Sequence, residues 1–211
     1  MRKVIAGAFV SLDGIMQAPG GPEEDTSSGF KYGGWSFPYY DETVDQAWEE
    51  ALSRPYDLLL GRKTYDTFAS FWPDQEDGPI AETARTFNRI TKYVATTSKA
   101  PLTWNNSVAL VDGVAGVARL RKEDGPDLLI QGSSVLIQSL HGHDLIDEYK
   151  LLVFPVVLGS GKRLFEPGAK AAALKQVSAK NAPSGVTIVT YVPDGDVKAG
   201  SFAPDGKPSE G

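Results

Sequence analysis

Twice in this chain a run of aliphatic residues ends at a glycine-bearing turn and passes straight into a helical pattern. Asp57-Leu58-Leu59-Leu60-Gly61 precedes the stripe Tyr65, Phe68, Ala69 and Trp72, and Asp127-Leu128-Leu129-Ile130-Gln131-Gly132-Ser133-Ser134 precedes a helix from Val135 to Leu140. A strand with no polar alternation must be covered on both faces. Helices between successive strands provide that cover and require crossover connections, so the expected architecture is an α/β sheet of mainly parallel strands. The 211 residues, 41% of them hydrophobic, suffice for one such domain with a full core.

The remaining pattern fills in the order of elements. Residues up to Val10 form an apolar run of strand length, too short for a signal peptide and without its cleavage pattern. From Gln17 to Phe37 glycines and prolines predict an irregular loop, yet Phe30, Tyr32, Trp35, Phe37, Tyr39 and Tyr40 are too many aromatics for a solvated linker. A loop of this length is expected to be functional, and a lid over a bound ring is the role that suits it. Val44, Ala47, Trp48, Ala51 and Leu52 make one helical stripe between Asp41 and Ser53. A helix at Ile80–Ile90, strands at Lys92–Thr97 and Ser107–Val111, and a helix at Val114–Lys122 follow. A long strand Glu148–Leu158 then leads to strands Leu174–Lys180 and Val186–Val192, joined at Ala182-Pro183-Ser184-Gly185 as an antiparallel hairpin. Residues 1–192 are therefore expected to form the domain, and the Gly, Pro, Asp and Ser-rich residues 193–211 a flexible tail.

Composition excludes several classes of function. There is no cysteine, and two histidines are too few for a zinc site, so no metal is expected. A net charge of −6 gives no basic field for nucleic acid or an anionic membrane, and no run reaches the length of a spanning helix. A cytoplasmic protein acting on a small molecule is the expectation. Gly159-Ser160-Gly161-Lys162-Arg163 is not a triphosphate loop, because Val156 and Arg163 stand where that motif needs Gly and Ser or Thr. His141-Gly142-His143 reads as a solvated helix end.

Chemistry is best placed at the two strand-to-helix turns. Unpaired amides and the positive dipole end make a helix N-terminus a seat for phosphate, and small residues let it approach. Two adjacent turns would seat two phosphates, and Arg62 and Lys63 add the fixed charge that a ribose 2′-phosphate needs. Tight turns with solvated cations are the plainer alternative. Asp45, at the edge of its helical stripe, is either a proton donor facing a partly apolar pocket or a surface acid in a first helical turn. Asp13 is a second candidate acid, in a dipeptide that commonly marks a turn.

Ser11-Leu12-Asp13-Gly14, Leu58-Leu59-Leu60-Gly61-Arg62-Lys63-Thr64-Tyr65, Gln131-Gly132-Ser133-Ser134, and Asp147-Glu148-Tyr149 leading to Phe154-Pro155-Val156-Val157-Leu158-Gly159-Ser160-Gly161-Lys162-Arg163-Leu164-Phe165 resemble the dihydrofolate reductase superfamily. Within it, they are similar to the reductase domain of the bifunctional riboflavin-biosynthesis deaminase-reductase. The resemblance implies a three-layer α/β/α fold, NADPH as hydride donor and a small heterocyclic substrate, pterin- or pyrimidine-like. It places Gly61, Arg62, Lys63 and Thr64 at the adenosine-side phosphates, with Thr96, Thr97 and Ser98 flanking the adenosine. Gln131, Gly132, Ser133, Ser134, Val135 and Leu136 fall on the pyrophosphate and nicotinamide side, and Ala6 and Gly14 to Met16 beside the nicotinamide. It aligns Asp45 with the family's proton donor, a bound water being the alternative, and implies a cis peptide at Gln131-Gly132, where dihydrofolate reductases carry Gly-Gly. Trp35, Phe37 and Trp48 are candidates to stack on the substrate. A uracil reductase of the riboflavin pathway, acting on a ribosyl phosphate through Lys162 and Arg163, and a non-catalytic NADPH-binding module are the alternatives; a homodimer is compatible with each.

Overall fold

The computed structural model describes residues 1–51, 53–200 and 202; Leu52 of the helical stripe and most of the expected tail lie outside them. In chain order the elements are β1 (Val4–Ser11), α1 (Glu42–Ala51), β2 (Tyr56–Gly61), α2 (Arg62–Ala69), α3 (Ala81–Arg89), β3 (Lys92–Ala95), β4 (Ser107–Leu110), α4 (Val114–Leu120), β5 (Asp127–Gln131), α5 (Ser134–Gly142), β6 (Glu148–Phe154), β7 (Leu174–Asn181) and β8 (Thr187–Pro193). They form one eight-stranded sheet in the order β4-β3-β2-β5-β1-β6-β8-β7. Neighbours from β4 through β6 pair in parallel, and β8 runs antiparallel to both β6 and β7.

Strand alternation sends two sets of side chains to opposite layers. Val4, Ala6, Ala8, Leu128 and Ile130 meet Val117 and Leu120 of α4 and Leu136, Ile137 and Leu140 of α5. On the other face Ile5, Leu58, Leu60 and Leu129 pack with Tyr65 of α2 and Phe87 of α3, while Leu152 and Phe154 pack with Val44 and Trp48 of α1. This is the expected three-layer α/β/α arrangement, with a mostly parallel sheet and the hairpin at one edge.

β6 stops at Phe154 rather than continuing to Leu158. Pro155 has no N–H to give to the ladder, and Leu12 N–H donates to the Val156 carbonyl in the loop that follows. The segment 17–40 is built into the core. Trp35 and Tyr39 meet the fully buried Phe154 edge-on, with centroids at 5.3 and 6.3 Å. Gln17 fastens the loop from within: its Nε2 donates to the Asp25 and Ser27 carbonyls, its Oε1 accepts Lys162 N–H, and its carbonyl accepts Trp35 Nε1–H.

His141 corrects the reading of a solvated helix end. It is buried, with Nδ1 2.7 Å from the Tyr149 hydroxyl and Nε2 2.8 Å from the Lys170 carbonyl, whereas His143 is exposed. A carbonyl can only accept, so Nε2 carries the proton; in the neutral ring Nδ1 then accepts from Tyr149.

Candidate functional site

Because β2 and β5 are adjacent, the two sequence-predicted turns emerge side by side at the same end of the sheet. Gly61 N–H donates to Ser133 Oγ over 2.9 Å, and the Gly132 Cα stands close to Thr64, whose Cγ2 would be 3.7 Å from a Cβ added there. Gly132 and Ser133 both have left-handed backbone, φ +71° and +61°. Serine in that region stores roughly 1–3 kcal/mol of strain, a cost that collects at functional sites. The chain reverses through these two residues with every described peptide bond trans, which corrects the expected cis bond at Gln131-Gly132.

Ser133 directs its hydroxyl to Gly61 instead of capping its own helix. The first-turn N–H groups of Ser134, Val135 and Leu136 find no acceptor among the described residues, as do those of Lys63 and Thr64 in α2. Such orphan donors at two adjoining positive dipole ends favour anions. Arg62 opens α2 and turns its guanidinium towards the loop after β3. Its Nε bonds both Asp66 oxygens at 2.9 and 3.0 Å, and its Nη1 bonds the Ala100 carbonyl at 2.9 Å. Ala100 N–H donates to Ser98 Oγ, and Ser98 N–H to Thr96 Oγ1, so the loop after β3 is tied to Arg62. Thr96 is buried, and Lys63, Thr97 and Ser98 are exposed.

The substrate-side candidates separate. Ala6 is fully enclosed on the α4/α5 face and offers no surface; its neighbour Gly7 faces α1, where an added Cβ would meet Trp48 at 3.5 Å. Gly14 has φ +85°, donates its N–H to the Ser11 carbonyl and accepts Leu164 N–H. Trp35 and Trp48 are core residues and Phe37 is 80% exposed. Asp45 is exposed, which sets aside the partly apolar pocket and agrees with the other alternative, a surface acid in the first helical turn: one residue beyond buried Val44 is about 100° around the helix. Tyr40 of the aromatic loop stands near it, against Phe9, which the sequence reading passed over. Phe9 contacts Tyr40 at 6.2 Å and Trp48 at 5.2 Å, and burial, followed by the Asp45 charge, raises the Tyr40 hydroxyl to about 12. The alternation of Phe9 with Ile5 and Gly7 along β1 was the available signal. Lys162 and Arg163 are engaged internally, with the Asp25 carboxylate and the Asp13 carbonyl. Two open grooves of about 480 and 560 Å³ share Pro73, Asn88 and Asn105 and border neither turn.

Asp13 acts as a clasp. Burial alone would raise its carboxyl, but the Ser11 hydroxyl and the N–H groups of Leu158 and Gly159 outweigh that and hold it at about 2. At neutral pH it is an acceptor and has no proton to give. A depressed carboxyl contributes stability in full above its unfolded value near 4 and loses it as pH falls through about 2. Thermal melts of wild type and Asp13→Asn are expected to show a gap that narrows between pH 4 and 2; a constant gap would contradict this role.

Comparison with known proteins agrees with this framework. The model of the RibD C-terminal domain family matches residues 2–188. Two uncharacterised proteins of Bacillus subtilis (strain 168) are similar along most of their length. YyaP is 27% identical over 192 residues, covering 90% of this chain and 94% of YyaP, and YwjB is 31% identical over 170 residues, covering 78% and 83%. Among solved structures, a protein provisionally assigned to riboflavin biosynthesis from Shewanella sp. PV-4 has TM-score 0.57 at 21% identity, over 91% of this chain and 99% of that one. Dihydrofolate reductase from Enterococcus faecalis, complexed with NADP(H) and RAB-propyl, has TM-score 0.56 at 14% identity, over 91% and 96%.

Proposed function

The chain belongs to the RibD C-terminal domain family, and on that premise we propose that it is an NADPH-dependent oxidoreductase that reduces a small heterocyclic substrate, pterin- or pyrimidine-like. The observation that carries the reading is the pairing of two helix N-termini, locked by Gly61 N–H to Ser133 Oγ, with Arg62 at the head of α2 tied to the loop after β3. The residues fit the cofactor: both first turns supply donors, glycine at 61 lets Ser133 close against β2, and at Gly132 only Thr64 Cγ2 stands within 4 Å of an added Cβ. In this reading Ser134, Val135 and Leu136 hold the pyrophosphate through their N–H groups. Arg62 takes the 2′-phosphate with the guanidinium edge that Asp66 and Ala100 leave open, and the Thr96–Ser98 loop, tied to Arg62, borders the adenosine.

When bound, NADPH supplies a hydride. The protein's part is to orient the ring and deliver a proton to the substrate. With Asp45 exposed and Asp13 held ionised, the proton comes from water held at the Asp45 carboxylate, beside the Phe9–Tyr40 aromatic wall. The exposure of Asp45 also favours a second reading, a module that binds NADPH and never oxidises it. The riboflavin-pathway alternative loses its substrate-phosphate cations, since Lys162 and Arg163 are both spent within the fold.

Arg62→Ala tests the assignment. Loss of a charge-assisted contact worth about 1.5–3 kcal/mol predicts a drop in NADPH affinity of about ten- to a hundredfold, with NADH changed far less. Equal losses for the two, measured by fluorescence titration, would refute the 2′-phosphate role.

A further inference from the structure

A fully buried lysine stands without a counter-ion at the end of the sheet away from the two turns. Lys92 opens β3, and Ala95 at the other end of that strand is the residue that pairs with Gly61. The Lys92 Nζ donates to the Phe87 and Asn88 carbonyls of α3 at 2.7 and 3.2 Å and to Asn105 Oδ1 at 3.4 Å, and lies 4.5 Å from the centre of the Trp104 ring. Burial, opposed by the Asp57 charge, brings the amine down to about 8, so it is charged at neutral pH. A cation suits the C-terminal end of a helix, but an ammonium taken from water and met only by dipoles is left uncompensated.

The groups around it are turned so as to donate outward. An indole N–H and an ammonium can only donate, so Asn88, which accepts Trp104 Nε1–H at 2.7 Å, and Asn105, which accepts Lys92, both point oxygen inward. Their amide nitrogens make no hydrogen bond among the described residues, and both side chains line both of the open grooves. Arg85 and Arg89, exposed and one turn apart on α3, line the larger groove. The arginines engaged in ion pairs among the described residues are Arg2, Arg62, Arg119 and Arg121, and neither of these two. The segment 73–76 contributes the grooves' carboxylates, Asp74 and Glu76.

We propose that the two grooves form one binding site for a small hydroxylated oxyanion, a phosphate or carboxylate that carries hydroxyl groups at its other end. Arg85 and Arg89 clamp the anion, Asn88 and Asn105 donate to it, and Asp74 and Glu76 accept from the hydroxyls. With Asn105 as the link, the anion supplies the opposite charge that the fold withholds from Lys92. The guanidinium fork matches phosphate and carboxylate alike. The site is separate from the paired helix N-termini and does not depend on what binds there.

Calorimetric titration with glycerol 3-phosphate and with glycerate at fixed ionic strength tests the assignment, the tighter of the two identifying the anionic group. Wild type is expected to bind at least one of them saturably. Arg85→Ala/Arg89→Ala should weaken that binding by about tenfold or more, the equivalent of one charge-assisted contact, and Asn105→Ala by about threefold, the equivalent of a neutral hydrogen bond. All three side chains are exposed, so the ligand-free melting temperatures should stay close to that of wild type. Failure of both probes to bind overturns the site. A loss confined to the arginine variant overturns it too, as diffuse attraction to surface charge. Binding that every groove variant leaves unchanged belongs to the helix N-termini at the far end of the sheet and equally overturns the groove assignment.

Discussion

Asp57→Ala is expected to remove about 3–5 kcal/mol of folding stability, the cost of leaving a buried charge without its partner. Arg2 is 3% exposed, and its guanidinium bonds the Asp57 carboxylate, donates from Nε to the Pro126 carbonyl and lies 5.1 Å over the Tyr93 ring. Asp57 in turn accepts Thr91 N–H, tying the start of β2 to the start of β3. Replacing the acid strands the cation among groups that can only partly compensate it. The double variant Arg2→Met/Asp57→Leu should recover most of the loss, since an apolar pair of similar volume avoids desolvating both ions. The pair lies at the opposite end of β2 from Gly61, so dinucleotide affinity of the folded fraction should not change. Urea unfolding checks the magnitude; a loss under about 1 kcal/mol would mean that water reaches Arg2.

What the sequence made legible was what local pattern encodes. Leu58-Leu59-Leu60 and Leu128-Leu129-Ile130 are uninterrupted because both their faces are covered, and the turns after them became neighbours because β2 and β5 pair. That adjacency brought Gly61, Thr64, Gly132 and Ser133 together, as expected of a site read from two separate turns. What failed depended on partners far along the chain. His141 looked solvated beside Gly142, but its burial is set by Tyr149 and the Lys170 carbonyl. The aromatics of the loop showed that it is no solvated linker, but not that Phe154 and Lys162 are what receive it. Asp13 is fixed by amides nearly 150 residues later. Asp45 was legible in kind but not in direction, since the edge of a helical stripe turns from core to solvent within one residue.

The central claim is that the paired N-termini of α2 and α5 seat a phosphorylated dinucleotide. A ligand that binds only the folded state stabilises it by RT ln(1 + [L]/Kd), about 2.7 kcal/mol at a hundredfold excess over Kd. For a domain of this size that corresponds to a rise in melting temperature of about 5–10 °C. The most direct measurement is thermal unfolding of the wild-type protein titrated in parallel with NADPH and NADH. The account predicts a rise of that size with NADPH, and a much smaller one with NADH at equal concentration because only NADPH reaches Arg62 with a 2′-phosphate. No shift with either, or equal shifts with both, would contradict it.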